Sequence, residues 1–197
     1  MNDPCFSRDE LLGMGVSEVG EKVRVHRSVF LFGCENIRIR SSVRIDAFSL
    51  LSAGAEGIWV GNNVHIAAGC YLFGTGGRIV FEDFAAISSR GSIYTGTDDY
   101  REGYLTGPTV PDAFRKVTAG PVVFRKHALV GASCVILPGV ELGEGCSVGA
   151  MSLVRRDVES HAIVAGNPLR RIGTRDGARL SELEGVYLAS IRGATAA

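Results

Sequence analysis

Residues 60–71 read Val60-Gly-Asn-Asn-Val64-His65-Ile66-Ala-Ala-Gly-Cys70-Tyr71 and contain two copies of a six-residue pattern. Each copy begins with an apolar residue and has a second small or apolar residue four positions later. A period of six fits neither the helical period of about 3.6 residues nor the alternation of a flat strand. It predicts short strands separated by turns, stacked three per coil into a solenoid.

The six-residue pattern extends over most of the chain. Before residue 98 it groups into repeats of 21 residues that begin at Ile37, Ile58 and Ile79. After residue 123 the hexads begin, without interruption, at Phe124, Val130, Ile136, Leu142, Val148 and Val154. We therefore predict an all-β domain over residues 19–168, built from about six triangular coils.

Three segments depart from this repeat. Residues 98–120 contain two prolines and several aromatic residues, and so long a loop inside a compact repeat is usually functional. Residues 1–18 contain Ser7 and Glu10 in a capping-box arrangement, which predicts a short helix that caps the first coil. Residues 169–197 begin with a basic stretch. Their apolar spacing predicts a C-terminal helix, at Leu180, Leu183, Tyr187 and Ile191.

Composition excludes several classes of protein. The 21 basic and 21 acidic residues balance without forming a charged run, so we expect neither a nucleic-acid groove nor a polybasic membrane surface. No apolar stretch approaches the length of a membrane span, and the N-terminus lacks a signal pattern, which predicts a cytoplasmic protein. The five cysteines form no CxxC motif. Three of them occupy inward hexad positions, and we expect reduced core residues there: Cys70, Cys134 and Cys146.

The late repeats contain the most specific motifs of the chain: Val135-Ile-Leu-Pro-Gly-Val140, Val148-Gly-Ala150 and Val164-Ala-Gly-Asn-Pro168. With these motifs, residues 19–171 resemble the hexapeptide-repeat acyltransferases, in particular the galactoside and maltose acetyltransferase-like branch. The resemblance implies a left-handed parallel β-helix, although crossover connections are normally right-handed. It also implies a homotrimer that transfers an acetyl group from acetyl-CoA to the oxygen or nitrogen of a sugar or nucleotide-sugar acceptor. The role that we expect from this resemblance is surface-polysaccharide biosynthesis.

The resemblance also suggests where the acyl donor binds. Small residues at four positions correspond to those that contact the pantetheine arm in relatives: Gly131, Ala132, Gly149 and Ala150. Four basic positions correspond to those that meet the CoA phosphates: Arg155, Arg156, Arg170 and Arg171. A guanidinium group suits a phosphate in charge and shape. A solvated basic edge and close packing of small residues are the alternative explanations.

The catalytic base is harder to assign. Acyl transfer from a thioester needs a group that takes the proton of the acceptor and donors that stabilise the oxyanion. Galactoside-type relatives have a histidine where the coil gives way to the long loop, whereas this chain has Asp98. The base is therefore another histidine or a carboxylate, or else the chain has lost the activity and is a trimeric scaffold. The intact late-coil motifs favour the enzyme.

Among the four histidines, His65 is our first candidate because it occupies an outward position beside a corner and has the small Ala86 as its register neighbour. Across a trimer interface, Asp98 or Asp99 of a neighbouring copy could orient its ring. A surface histidine on a turn is the alternative. His127, which follows the loop, is the second candidate. The histidines show no close pair in sequence, so we expect no metal site.

Overall fold

The computed structural model describes residues 4–195, which form a left-handed parallel β-helix. The first and fifth positions of each hexad point inward, so the six-residue pattern becomes a continuous apolar core. Val60, Val64, Ile66 and Cys70 are each no more than 2% exposed. The predicted fold is confirmed, and the core explains the pattern because each coil can bury its apolar side chains only against its neighbours.

The strands stack into three faces. Face A consists of Arg24–His26, Arg44–Ile45, His65–Ile66, Ala86–Ile87, Leu129–Val130, Ser147–Val148 and Ala162–Ala165. Face B consists of Glu18–Val19, Ile37–Ile39, Ile58–Val60, Ile79–Phe81, Val122–Phe124 and Glu141–Leu142. Face C consists of Phe30–Phe32, Leu50–Ala53, Tyr71–Gly74, Ser92–Tyr94, Val135–Ile136 and Leu153–Val154. We name each edge of the prism after the two faces that it joins.

The chain visits the faces in the order B, A, C, and the long loop leaves from the C–B edge. It is less irregular than its sequence suggests, because Gly96–Asp98 pairs antiparallel with Val117–Ala119 and a short 3-10 helix forms at Asp112–Phe114. Ile79 pairs directly with Val122, so the solenoid resumes in register after the loop. The loop is therefore an insertion at one edge and leaves the stacking of coils unchanged.

The start of the solenoid is covered by the N-terminal residues. Helix α1, Arg8–Gly13, begins with the predicted capping box between Ser7 and Glu10, and its Leu11 is fully buried against the first coil. Strand Cys5–Phe6 pairs antiparallel with the first strand of face A. A second 3-10 helix occupies Cys34–Asn36. Capping of this kind protects the open strand edges at the start of the repeat.

The C-terminal segment differs from expectation in one respect. The last hexad found in the sequence begins at Val154, but strand Ala162–Ala165 continues face A, and His161 lies at a corner before it. The last coil is shorter: Leu142 bridges to Val158 and Ser147 pairs with Ile163, a step of 16 residues. This shorter step shifts the apolar positions of the hexad pattern, so the pattern did not reveal the final coil.

After the last coil, Arg170–Thr174 pairs antiparallel with face A, and the predicted C-terminal helix is present as α2, Gly177–Thr195. Within residues 4–195 no helix is long and apolar enough to cross a membrane. The prediction of buried, reduced cysteines is confirmed at Cys70, Cys134 and Cys146, all of which are free and inaccessible. Burial raises the pKa of the Cys70 and Cys146 thiols to about 11.

Candidate active site

A large hollow beside chemically active side chains lies under the long loop at the C–B edge. The strand pair Gly96–Asp98 and Val117–Ala119 forms the stem of the loop and holds it over the edge. A cavity of about 930 Å³ lies between the loop and face C. Aromatic and charged side chains line it, among them Phe73, Tyr94, Asp98, Tyr100, Asp112 and Arg115. The break in the repeat therefore marks a site that is formed by the fold.

The two consecutive acids of the loop have different roles. Asp98 lines the cavity, and its Oδ2 accepts a hydrogen bond from the N–H of Gly107 at 3.0 Å. The Asp99 carboxylate accepts hydrogen bonds from the N–H groups of Arg101 at 3.1 Å and Glu102 at 2.7 Å. Desolvation alone would raise the pKa of Asp99, but these backbone donors hold it below its ordinary value. Asp99 stabilises the turn, whereas Asp98 faces the cavity.

His65 has an acidic partner within its own chain. Its Nε2 lies 2.8 Å from Oδ2 of Asp46, and Nε of Arg44 donates to the other carboxylate oxygen at 2.6 Å. Burial tends to raise the pKa of Asp46, but the hydrogen bonds from His65 and Arg44 bring it below its ordinary value. Within one chain, the ring of His65 is thus oriented by Asp46 rather than by Asp98 or Asp99.

Sequence analysis missed Asp46 because it considered only the residues one repeat away from His65. Ala86 is a register neighbour of His65, as predicted, and Arg44 is the other. The long side chain of His65, however, reaches the residue two positions beyond Arg44. Such diagonal neighbours on one face of a sheet are within reach of long side chains. An acid two positions beyond a register neighbour is the signal that could have revealed the pair.

His127 lies on a different edge from the cavity. It is at the B–A edge, only 8% exposed, and its ring stacks on Phe84 with the centroids 4.9 Å apart. Its Nε2 lies 2.9 Å from Oε2 of Glu184 on α2, and the other oxygen of that carboxylate, Oε1, pairs with Nζ of Lys126 at 2.7 Å. The sequence proximity of His127 to the loop was misleading, because the loop ends at the C–B edge and the chain crosses face B before reaching this corner.

The A–C edge is lined by small residues along much of its length. At this edge lie the residues that directly follow the strands of face A, and the registers of those strands place them one above another. They are Asp46, Ala67, Ser88, Gly131 and Gly149. A Cβ at Gly131 would lie only 2.5 Å from the N atom of Ala150, so close packing of the backbone requires glycine there. Packing therefore explains Gly131 whether or not a cofactor lies against this edge. Ser88, which sequence analysis did not single out, belongs to this row.

The four candidate phosphate-binding arginines lie together at the C-terminal end of the solenoid. They line two hollows of about 400 and 360 Å³ that share Arg156 and Arg170. Arg155 lines one hollow, and Arg171, which pairs with Glu159 at 2.6 Å, lines the other. Within residues 4–195, Arg155, Arg156 and Arg170 form no ion pair. Although Asp157 and Glu159 also line one hollow, these three unpaired guanidinium groups are suited to an anion of high charge.

The candidate residues thus fall on separate parts of one chain. Asp98 is at the C–B edge, His65 and the small residues are on face A and the A–C edge, and His127 is under α2. Within residues 4–195 no group of three or more histidine, cysteine or acidic residues is arranged to hold a metal ion.

Comparison with known proteins identifies the kind of chemistry. The family model described as "Hexapeptide repeat of succinyl-transferase" matches residues 51–73 and 126–150. A dTDP-4-amino-4,6-dideoxy-D-glucose acyltransferase from Escherichia coli is 38% identical over 184 residues, which cover 93% of this chain and 95% of that protein.

Solved structures give the same result. AntD, an N-acyltransferase from Bacillus cereus in complex with dTDP and 3-hydroxybutyryl-CoA, is 36% identical with a TM-score of 0.89. The match covers 97% of this chain and 100% of that one. A maltose O-acetyltransferase from Clostridium difficile 630 has a TM-score of 0.58 at 19% identity, with 86% and 75% of the two chains covered, and shows the fold alone.

Proposed function

The chain belongs to the hexapeptide-repeat acyltransferases, and on this basis we propose that it transfers an acyl group from a CoA thioester to the amino group of a dTDP-4-amino-4,6-dideoxy sugar. The relatives that match almost the whole chain act on, or bind, such nucleotides. The observation that carries the proposal is the position of Asp98. A carboxylate facing a cavity can hold the amine of an acceptor and take its proton.

A coincidence of spacing supports Asp98. Solved variants of the B. cereus enzyme replace an aspartate, or a serine that precedes this aspartate by ten positions. In this chain the same interval separates Ser88 from Asp98, and it also separates Ser89 from Asp99. The carboxylate of Asp99 is engaged with the backbone of its own turn, so we assign the equivalent pair to Ser88 and Asp98.

Ser88 and Asp98 lie on different edges, and we propose that assembly brings them together. The outward side of face C is apolar for a surface: Phe30 is 62% exposed, Phe32 53% and Tyr71 43%. Exposed apolar patches of this kind mark interfaces. If three copies pack with face C around a threefold axis, the A–C edge of one copy meets the C–B edge of the next. A homotrimer would then contain three sites, each with Ser88 from one copy and Asp98 from its neighbour.

The donor fits the same arrangement. We propose that the CoA phosphates bind Arg155, Arg156, Arg170 and Arg171 and that the pantetheine arm runs along the A–C edge toward Ser88. The small residues on this route allow close approach of the pantetheine arm: Gly131, Ala132, Gly149 and Ala150. The amine attacks the thioester carbonyl carbon, the C–S bond breaks, and the proton lost by nitrogen passes to Asp98 while CoA leaves as a thiolate that is then protonated. The hydroxyl of Ser88 donates a hydrogen bond to the oxyanion.

His65 remains the alternative base in this proposal. Asp46 orients its Nε2, which leaves Nδ1 to accept a proton. Its register neighbour Ala86 lies two residues before Ser88, so His65 is about one coil spacing, roughly 4.8 Å along the prism, from the proposed reaction centre. His127 and Asp99 have no catalytic role in the proposal because their polar atoms already stabilise α2 and the loop. A role in the cytoplasmic supply of sugars for surface polysaccharides is consistent with both substrates.

The decisive experiment is an assay with defined acceptors. The purified protein is incubated with dTDP-4-amino-4,6-dideoxyglucose and either acetyl-CoA or 3-hydroxybutyryl-CoA, and the release of CoA thiol and the product mass are followed. We expect an amide product and stoichiometric thiol. The control acceptors are dTDP-glucose, which lacks the amine, and maltose. Thiol release with maltose but none with the amino sugar would refute the proposal.

A further inference from the structure

Gly107, in the long loop, contacts the carboxylate of Asp98 through its backbone. Its N–H donates a hydrogen bond to Oδ2 of Asp98 at 3.0 Å. Within residues 4–192, whose side chains the structure describes, no donor pairs with the other carboxylate oxygen, Oδ1. Asp98 is therefore held at one oxygen, while the other remains available to take a proton.

The backbone conformation of Gly107 decides whether this hydrogen bond can form. Its φ is +92°, in the left-handed region that residues with a side chain rarely adopt. The carbonyl oxygen of Gly107 is fixed separately, because it accepts hydrogen bonds from the N–H of Val110 at 3.2 Å and from Nη1 of Arg115 at 3.4 Å. The angle φ sets the direction of the N–H relative to this carbonyl. With the carbonyl held, a change in φ turns the N–H away from Asp98.

Arg115 holds the carbonyl side of this link. Its Nε and Nη2 lie 2.9 and 2.8 Å from Oδ1 of Asp112. Close by, Leu105 bridges to Arg115, and the N–H of Leu105 donates to the carbonyl oxygen of Phe114 at 3.0 Å. These bonds join the two arms of the loop beside Gly107. The loop thus fixes the position of Gly107 without help from Asp98.

We propose that Gly107 is a positioning residue for acyl transfer, because its N–H fixes Oδ2 of Asp98 and leaves Oδ1 to take the proton of the acceptor amine. The inference rests on the proposed function, which makes Asp98 the base. A general base must lie within hydrogen-bond reach of the proton that it takes, and a misplacement of about 1 Å can cost roughly 10²-fold in rate. Gly107 acts on the reaction through Asp98 alone.

The first test is the steady-state kinetics of Gly107→Ala with the amino sugar. A Cβ built at Gly107 meets no atom within 4 Å, so alanine changes the preferred φ without a steric clash. We expect kcat to fall by about 10- to 100-fold while the KM for acyl-CoA stays the same. Gly103→Ala is the matched control, because Gly103 lies in the same loop with a φ of +81° and equally open space. It should lower the melting temperature by a similar amount and leave kcat close to wild type.

A double-mutant cycle shows whether Gly107 acts through Asp98. The variant that combines Gly107→Ala with Asp98→Asn should have the kcat of Asp98→Asn alone, because the base that Gly107 positions is already absent. If the two losses multiply instead, Gly107 only maintains the loop and the inference is wrong. Should the alanine variant fail to fold, Gly107→Asn replaces it in the cycle, since asparagine enters the positive-φ region more readily.

The outcomes separate this inference from the proposed function. If wild type acylates the amino sugar and folded Gly107→Ala keeps full kcat, the function stands and the positioning role is overturned. If Asp98→Asn keeps full kcat, another group takes the proton, and the inference fails while the reaction stands. If wild type acylates no amino sugar, the proposed function is wrong and the inference is wrong with it. Light scattering and melting temperatures establish that each variant is assembled and folded.

Discussion

The C–B and B–A edges of the prism each have a titratable side chain next to a segment that leaves the coil. The two sites differ in whether that side chain faces open space. At the B–A edge, His127 is buried, stacked on Phe84 and hydrogen-bonded to Glu184, and α2 closes over it. At the C–B edge, the loop stands off the coil and leaves Asp98 facing a cavity. We therefore base the proposed assignment of the catalytic base on access to open space and free hydrogen-bonding capacity rather than on residue type.

The strongest test of this contrast is to replace the titratable side chain at each edge. Asp98→Asn should lower kcat by about 10²–10⁴-fold, the usual cost of losing a general base, while assembly and melting temperature stay close to wild type. His127→Ala should lower the melting temperature and leave kcat within a few-fold of wild type. Steady-state kinetics and differential scanning calorimetry on both variants decide the matter. A His127 variant that folds normally but loses activity would reverse the comparison.

The next effect concerns the arginine end of the proposed donor site. Arg155→Ala combined with Arg156→Ala should raise the KM for acyl-CoA by about tenfold or more, since each charge-assisted hydrogen bond is worth roughly 1.5–3 kcal/mol before solvent screening. The KM for the amino sugar should not change. Arg192→Ala, an exposed arginine in the last turn of α2, is the control. An unaltered KM for acyl-CoA in the double variant would mean that the phosphates bind elsewhere.

A ranking of variants sharpens the assignment of the base. We expect the loss of kcat to be greatest for Asp98→Asn, smaller for His65→Ala and smallest for His127→Ala. Asp46→Asn should match His65→Ala in its pH–rate profile, because the carboxylate orients that ring. If His65→Ala proves more damaging than Asp98→Asn, then His65 takes the proton and Asp98 only positions the acceptor.

The smallest expected effect is on the stability of the B–A edge. Desolvation opposes ionisation of Glu184, but Lys126 and His127 outweigh it, so its pKa in the folded protein is below the ordinary value. A depressed carboxyl pKa stabilises the fold above the unfolded pKa of about 4.3, and this contribution disappears as pH falls below it. Glu184→Gln should cost about 1–3 kcal/mol of unfolding free energy at pH 7 and less near pH 3. Denaturant unfolding at the two pH values measures the difference, and a constant difference would contradict it.

Sequence reasoning succeeded where the physical constraint is local. The hexads predicted the coils because inward positions must be apolar in every repeat, and the break at residue 98 revealed the long loop that lies over the cavity. It failed at the last coil, where a shorter step shifted the register without removing the apolar residues. It also ranked His127 as a candidate because it follows the loop in the sequence. In a solenoid, however, two residues are close only if they lie at the same edge and in the same or a neighbouring coil.

The sequence alone therefore determined the solenoid, the position of its long insertion, the N-terminal capping helix, the C-terminal helix and the family of acyltransferases, because repeated short-range patterns and motifs lie along the chain. Only the tertiary structure decided which polar groups are satisfied. His127 contacts Glu184, which is 57 residues away in the sequence, and His65 contacts its diagonal neighbour Asp46. Within the loop, the backbone of Gly107 is hydrogen-bonded to both Asp98 and Arg115. Such pairings depend on which edge each turn reaches and on the reach of individual side chains, and no periodicity in the sequence encodes them.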